Sequence, residues 1–209
     1  MSDTGAYRIG CDIGGTFTDF ILFDETSGAI SVEKVLTTPG DPSTAVIDGT
    51  RALARSHPGY QARAVDFVHA TTLMVNAIVE RKGARTALLT TKGFRDVLEL
   101  RRHLRISTYE MWNDPPEPLV PRYLRLEVTE RTYSDGRILA PVDPDEIRRL
   151  VDVLRAERVE SVAIVFLHSY VNPENERRVA GILAQTAPKL SVTLSSQVLP
   201  EYLEYERTS

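Results

Sequence analysis

Two acidic residues, two adjacent glycines and two threonines fall within eight positions, Asp12-Ile13-Gly14-Gly15-Thr16-Phe17-Thr18-Asp19. Glycine lacks Cβ, so this backbone can take positive φ and let a ligand approach closely. Consecutive N–H groups in such a turn make a concave anion site, and the hydroxyls of Thr16 and Thr18 add donors. Asp12 sets a carboxylate beside that site, where a phosphate-bound Mg²⁺ takes one through water. The string therefore points to phosphate binding, with Gly14, Gly15, Thr16 and Thr18 as the phosphate ligands. An ordinary glycine hairpin is the plainer alternative, but it requires neither acid and neither threonine. A Walker A loop is excluded, because no Gly-Lys-Ser/Thr follows and the turn leads into a strand.

The flanking residues define the elements that position this loop. Tyr7, Ile9, Cys11 and Ile13 alternate with Arg8, Gly10 and Asp12, the period of a strand with one buried face. Phe20-Ile21-Leu22-Phe23 is apolar throughout and suits a central strand. Ile30, Val32 and Leu36 complete an antiparallel meander. Asp41-Pro42 is an N-cap followed by Pro at the first helical position, and Val46, Ile47, Thr50, Leu53 and Ala54 form one helical face. Val65–Val68 reads as a strand, Thr72–Lys82 as a helix closed by Gly83, and Thr86–Thr90 as another strand.

From Thr91 to Val142 the alternation stops. Pro115, Pro116, Pro118, Pro121 and Pro141 interrupt it, which predicts an irregular insertion lying outside the central sheet. Within it Leu124–Val128 alternates, and Ser134-Asp135-Gly136-Arg137 reads as a hairpin turn. Regular order resumes with a helix from Asp143-Pro144, a strand over Val162–Leu167, a helix from Asn172-Pro173 and a strand over Leu190–Leu194. A meander followed by strand–helix alternation is the order of a ribonuclease-H-like α/β lobe. The expectation is one domain, residues 1–209, with an insertion at about 91–142, truncated from a longer protein.

A second group of candidates lies at a strand end. His69, Thr71 and Thr72 precede a helix, and Asn76 falls one turn further on, a candidate ligand loop. One of the threonines is equally an N-cap. Arg95 in Lys92-Gly93-Phe94-Arg95-Asp96 could grip an anion or pair with Asp96 or Glu99. His168 could line a cleft or be a satisfied half-buried histidine. The basic run Arg101–Arg105 reads as a solvated edge. Glu201, Glu204 and Glu206 fit an exposed helix face without chemistry. No residue is assigned as the catalytic acid or base.

The 209 residues are 42% hydrophobic and 26% charged, an ordinary globular balance, with a net charge of −4 that argues against nucleic-acid binding. No apolar run approaches a membrane span. The polar start Met1–Gly5 lacks signal-peptide features, and a single cysteine fits a reducing cytoplasm. Cys11 reads as a buried, inert thiol.

The loop resembles the first phosphate motif of the actin, sugar-kinase and Hsp70 superfamily of ATPases. More closely, the chain is similar to the N-terminal region of the hydantoinase A/5-oxoprolinase family. Further stretches support this in order: His69-Ala70-Thr71-Thr72 with Asn76-Ala77, Glu80–Ala84, Thr91–Glu99, Pro118–Arg122, Leu167–Tyr170 with Asn172-Pro173, and Tyr205–Ser209. The family usually carries Gly where this chain has Ala70. The resemblance implies an ATP-binding lobe, with Mg²⁺ at Asp12, in an ATP-dependent enzyme acting on a small cyclic amide. It further implies the remainder of a longer chain and a partner subunit of the hydantoinase B type. Within the same family, acetone- and acetophenone-carboxylase-type subunits activate a ketone instead. No second phosphate motif and no adenosine motif is visible, so a noncatalytic assembly module remains the alternative of a different class.

Overall fold

The computed structural model describes residues 6–38, 40–102, 109, 112 and 116–209. The chain divides into two compact units, Met1–Gly83 and Ala84–Ser209, each with its own four-stranded sheet.

In the first unit, β1 (Tyr7–Ile13), β2 (Phe17–Asp24) and β3 (Ile30–Leu36) form the antiparallel meander. Helix α1 (Pro42–Ser56) follows, capped by the Asp41 carboxylate, which accepts from the Ser43 N–H at 3.1 Å. Strand β4 (Ala64–Thr71) then lies parallel to β1, giving the order β3-β2-β1-β4, and a seven-residue helix α2 (Leu73–Val79) closes the unit. Helix α2 is shorter than the Thr72–Lys82 expected. Alternation along β1 and β2 sends Ile9, Cys11, Ile13, Phe20 and Leu22 to one face, where they pack with Leu53 of α1 and Tyr60. Packing there is tight: a methyl on Gly49 would lie 2.0 Å from the Phe20 ring. The opposite face carries Phe17, Ile21, Val32 and Leu36, all exposed.

In the second unit the strands are β5 (Thr86–Thr91), then, beyond the short helix α3 (Val97–Leu100), β6 (Arg125–Val128). A two-stranded ribbon, β7 (Arg131–Thr132) and β8 (Ile138–Ala140), leads to helix α4 (Pro144–Ala156). Strand β9 (Ser161–Val165), helix α5 (Glu174–Thr186), strand β10 (Ser191–Leu194) and the short helices α6 (Ser195–Val198) and α7 (Glu204–Thr208) complete it. The sheet is all parallel, in the order β10-β9-β5-β6. Ala87, Leu89, Val162 and Ile164 face Ile147, Val151, Val179 and Leu183 of α4 and α5. Leu88 and Val165 pack with Leu98 on the other side.

Two further expectations change. The segment 91–142 does contribute to a sheet, because Arg125–Val128 pairs with β5. The prolines misled here: they crowd the approach to β6, whereas the strand itself has none and occupies an edge, where ladder demands are lower. Likewise β5, β9 and β10 build a separate sheet instead of extending the meander. Periodicity identifies strands but carries no information about which sheet each one joins.

Candidate functional site

The chemistry-bearing residues of the first unit gather where β1 turns into β2. Register pairs Ile13 with Thr18, leaving Gly14 to Phe17 to make the turn. The Gly14 N–H donates to the Phe17 carbonyl at 2.9 Å, and a Cβ on Gly14 would lie 2.9 Å from that same oxygen. The Gly15 and Thr16 N–H groups have no hydrogen-bond partner among the described residues. Neither Gly14 nor Gly15 has a positive φ. The glycines thus supply space, not left-handed geometry, and this corrects the expectation of a positive-φ turn. At Gly15 the space is taken up by α2: an added Cβ would meet the Asn76 side-chain amide at 3.0 Å.

Thr18 departs from its expected role. Its side chain is fully buried, and its hydroxyl lies 2.9 Å from that of Thr37. Alternation puts it on the α1 face beside Phe20, so it braces the loop and offers nothing to a ligand. Thr37 itself was not foreseen. Its hydroxyl donates to the Gly14 carbonyl at 2.9 Å and its N–H to the Thr16 carbonyl at 2.9 Å. Register places it there: Phe17 opposes Leu36, so the next residue along sits beside Thr16.

Asp12 is exposed and has no hydrogen bond or ion pair among the described residues. It lies on the face away from α1, across from Asp19, whose charge is met by Lys34 at 2.9 Å. In the parallel register Asp12 is level with Ala70 and Cys11 with His69, so His69 projects to the α1 side. The structure therefore does not bring His69 onto the Asp12 face. Thr71 and Thr72 hold the next turn to β1. The Thr72 N–H donates to the Ile13 carbonyl at 3.1 Å, both hydroxyls lie 3.4–3.5 Å from that oxygen, and the Leu73 N–H donates to Thr71 Oγ1 at 3.3 Å. Thr71, and not Thr72, provides the cap-like bond. Asp12, Gly15, Thr16 and Asn76 remain as the cluster available to a ligand. Among the described residues no group of three or more His, Cys, Asp or Glu could hold a metal unaided. A divalent ion here would have to share the single Asp12 carboxylate with oxygens of its ligand.

Candidates in the second unit are engaged elsewhere. Arg95 donates to the Arg122 carbonyl at 3.0 Å, while Asp96 takes a two-pronged contact from Arg122 and Glu99 pairs with Arg125. Arg122 holds the Asp96 carboxyl below the usual range. His168 follows β9 with a φ of 55° and stacks edge-on with Tyr170; its Nδ1 is buried with no hydrogen-bond partner among the described residues. Arg102 pairs with Glu206, and Arg101 donates to the Pro116 carbonyl; the remaining positions of that basic run lie outside the described residues. Burial raises the Cys11 thiol pKa, consistent with an inert core residue.

The sequence matches the profile of the hydantoinase/oxoprolinase N-terminal region over residues 8–187, most of its length. The chain belongs to this family. Among relatives, the caprolactamase subunit alpha of Pseudomonas jessenii is 36% identical over 209 residues, covering 97% of this chain and 30% of its own. The hydantoinase/oxoprolinase fold is also recognisable in solved structures. A nucleotide-free acetone carboxylase, studied for ATP-dependent acetone carboxylation, aligns with a TM-score of 0.84 and 31% identity, over 98% of this chain and 31% of that one. The ATP-dependent caprolactamase of P. jessenii aligns with a TM-score of 0.82 and 35% identity, over 97% and 30%. This chain thus spans about a third of the length of these relatives. As a family member it shares an α/β fold with mixed sheets with ATP-dependent enzymes. Among the described residues, no helix is long and apolar enough to cross a membrane.

Proposed function

We propose that the β1–β2 hairpin is the first phosphate site of an ATP-dependent amidase of the hydantoinase/oxoprolinase type, working in the cytoplasm. The carrying observation is the hairpin itself: two unpartnered N–H groups at Gly15 and Thr16, walled by Asn76 and flanked by an unpaired Asp12 carboxylate. Glycine is needed at both turn positions: a Cβ at Gly15 would press on the Asn76 amide at 3.0 Å, and one at Gly14 on the Phe17 carbonyl oxygen at 2.9 Å. The meander with parallel β4 supports an actin-like reading of this lobe.

The residues then divide the work. Gly15 and Thr16 donate backbone N–H groups to phosphate oxygens, and the Thr16 hydroxyl adds a third donor. Asp12 orients Mg²⁺ bound to the phosphates, through water or directly. Thr18 and Thr37 fix the loop before a ligand arrives, so little conformational freedom is lost on binding. ATP, when bound, supplies the phosphoryl group that activates a small cyclic amide for attack by water. The rest of the site would come from the remainder of a full-length chain and from a partner subunit of the hydantoinase B type, since a caprolactamase relative is itself a subunit alpha. A ketone substrate is the second reading, favoured by the equally close likeness to acetone carboxylase.

The test uses a full-length enzyme containing these residues, assayed with Mg-ATP on 5-oxoproline, hydantoin, caprolactam, and acetone with bicarbonate. Gly15→Val and Asp12→Ala are expected to lower turnover at least about a hundredfold with the fold retained. Near-normal turnover in both variants sinks the phosphate assignment. Product from acetone alone would move the substrate from amide to ketone.

A further inference from the structure

Four strands end the two four-stranded sheets: β3 and β4 in the first, β6 and β10 in the second. Natural edge strands discourage pairing with charge, proline or a bulge. Charge is present in three of them, as Glu33 and Lys34 in β3, Asp66 in β4, and Arg125 and Glu127 in β6. Strand β10, Ser191-Val192-Thr193-Leu194, carries none. No charged residue occurs from Leu190 to Pro200, in a chain that is 26% charged. Its register with β9 is continuous, without a bulge.

Beside this edge lies an open groove of about 360 Å³. Leu190, Val192 and Leu194 line it from the strand, Ala180 and Ala184 from α5, and Gln197 from α6. Alternation sends the three strand residues to one face, and the two short alanines leave space that a longer side chain would fill. Val198, at the end of α6, and Tyr202, just beyond it, keep 69% and 72% of their surface exposed. The segment that follows β10 turns away from the free edge. Helix α6 contacts β9 as well as β10, and Arg207 of α7 donates to the Phe166 carbonyl and to Ser169, just after β9. Glu206 pairs with Arg102, just beyond α3. Among the described residues, nothing pairs with the outer side of β10.

We propose that β10 is a self-association surface: two copies of this chain pair their β10 strands antiparallel across a two-fold axis at Val192. Charge decides the occupant. A two-fold axis sets an edge strand against itself, so any charge on it meets the same charge a few residues away. An uncharged strand suits a second copy, whereas a different partner gains from opposite charge. Register then follows from the pleat. Directly opposed residues share a face, so the axis passes through a residue and not between two. With the axis at Val192, Leu190 opposes the second copy's Leu194 on the groove side, and Ser191 opposes its Thr193 on the other. The two sheets become one continuous sheet, and the two grooves merge into a single apolar strip between α5 and its counterpart. Four paired residues alone are a small contact, to which the groove, Val198 and Tyr202 add apolar area. The inference concerns the second unit alone and does not rest on the phosphate assignment.

Gel filtration with light scattering on the 209-residue chain tests it. Twice the single-chain mass is expected at about 0.1 mM, falling toward one mass near about 1 µM, as for a small interface. The double variant Ser191→Lys, Thr193→Lys changes two exposed residues and sets lysine against lysine across the axis. It should weaken association at least about tenfold and leave the melting temperature of the diluted chain unchanged. Val192→Cys brings its Cβ to about 5 Å from that of its own copy, so mild oxidation should yield a covalent dimer. Ser134→Cys, in the turn between β7 and β8, should give none, and the buried Cys11 does not compete. A chain that stays monomeric throughout that range overturns the proposal. A dimer that survives the lysine pair, or that fails to cross-link through position 192, also overturns it, in favour of a different surface.

Discussion

The two sheets bury themselves in opposite ways. In the second unit, α4 and α5 cover one side and Leu88, Leu98 and Val165 pack on the other. Its polar interior includes a cluster paired internally, although His168 Nδ1 and Asn175 Oδ1 have no hydrogen-bond partner among the described residues. Glu176 accepts from the Phe166 and Ser196 N–H groups and the Ser195 hydroxyl, while Arg207 donates to Ser169, Ser195 and the Phe166 carbonyl. In the first unit one sheet face packs on α1, and the other presents Phe17, Ile21, Val32 and Leu36 to solvent. The Gly15 and Thr16 N–H groups and the Asp12 carboxylate, which have no partner among the described residues, belong to the first unit. A sheet covered on both sides leaves little of its surface for a ligand. One that leaves a face and a loop open has room for one.

Four substitutions would break or sharpen that contrast. The largest effect is expected from Leu183→Ala, which empties a fully buried position between α5 and the second sheet. It should cost about 3 kcal/mol in urea unfolding; a loss under ~1 kcal/mol would mean that the second core is loose. Gly49→Ala comes next. Its methyl would meet the Phe20 ring at 2.0 Å, and displacing that ring should cost about 2 kcal/mol despite the better helix propensity of alanine. A neutral result would show that the first unit's single packed face is soft.

Glu130→Gln probes the buried polar cluster of the second unit. Burial pushes the Glu130 carboxyl up, more than the Thr91, Asn175 and Arg131 contacts pull it down. The folded state therefore holds this proton more tightly than the unfolded chain. The resulting stability is complete below the ordinary glutamate range and is lost as pH rises through the raised value. Glutamine cannot ionise, and its amide oxygen keeps an acceptor for Asn175 Nδ2. The variant should be more stable than the parent by about 1 kcal/mol at pH 8, with the difference vanishing near pH 4. A less stable variant at pH 8 would refute it. The smallest effect is expected at Val32→Thr, on the open face with 67% exposure: within about 0.5 kcal/mol in this chain. A larger loss would mean that the face is already covered.

How much of this was legible depended on the range of the interaction. The meander, the Asp41 cap and the β1–β2 turn follow from periods and caps spanning a few residues, and the structure keeps them. The role of Thr18 was misread because its hydroxyl suits a ligand as well as a core. Only its parity with Phe20 along β2 reveals that it points inward. Thr37 was invisible because its partners are Gly14 and Thr16, more than twenty residues away. The division into two sheets was missed for the same reason: strand partners are chosen by long-range packing. His69 and Asp12 both lie near strand ends, but a parallel register that matches His69 to Cys11 sends them to opposite faces.

Thr37 also links two distant ends of one ribbon. It reaches Gly14 and Thr16 only because β2 and β3 are paired in a particular register, and that register is set at the other end by the turn after Asp24. There the Asp24 carboxylate receives the Thr26 N–H and the Ser27 hydroxyl, while Gly28 takes a φ of 71°. Gaining or losing one residue in that turn would slide β3 along β2, and every β3 side chain would change face. Thr38 or Leu36 would then arrive where Thr37 stands, and neither is placed to hold both carbonyls. The shape of the loop is thus gauged from the far end of the hairpin, seven strand positions away, by residues that never come near a ligand.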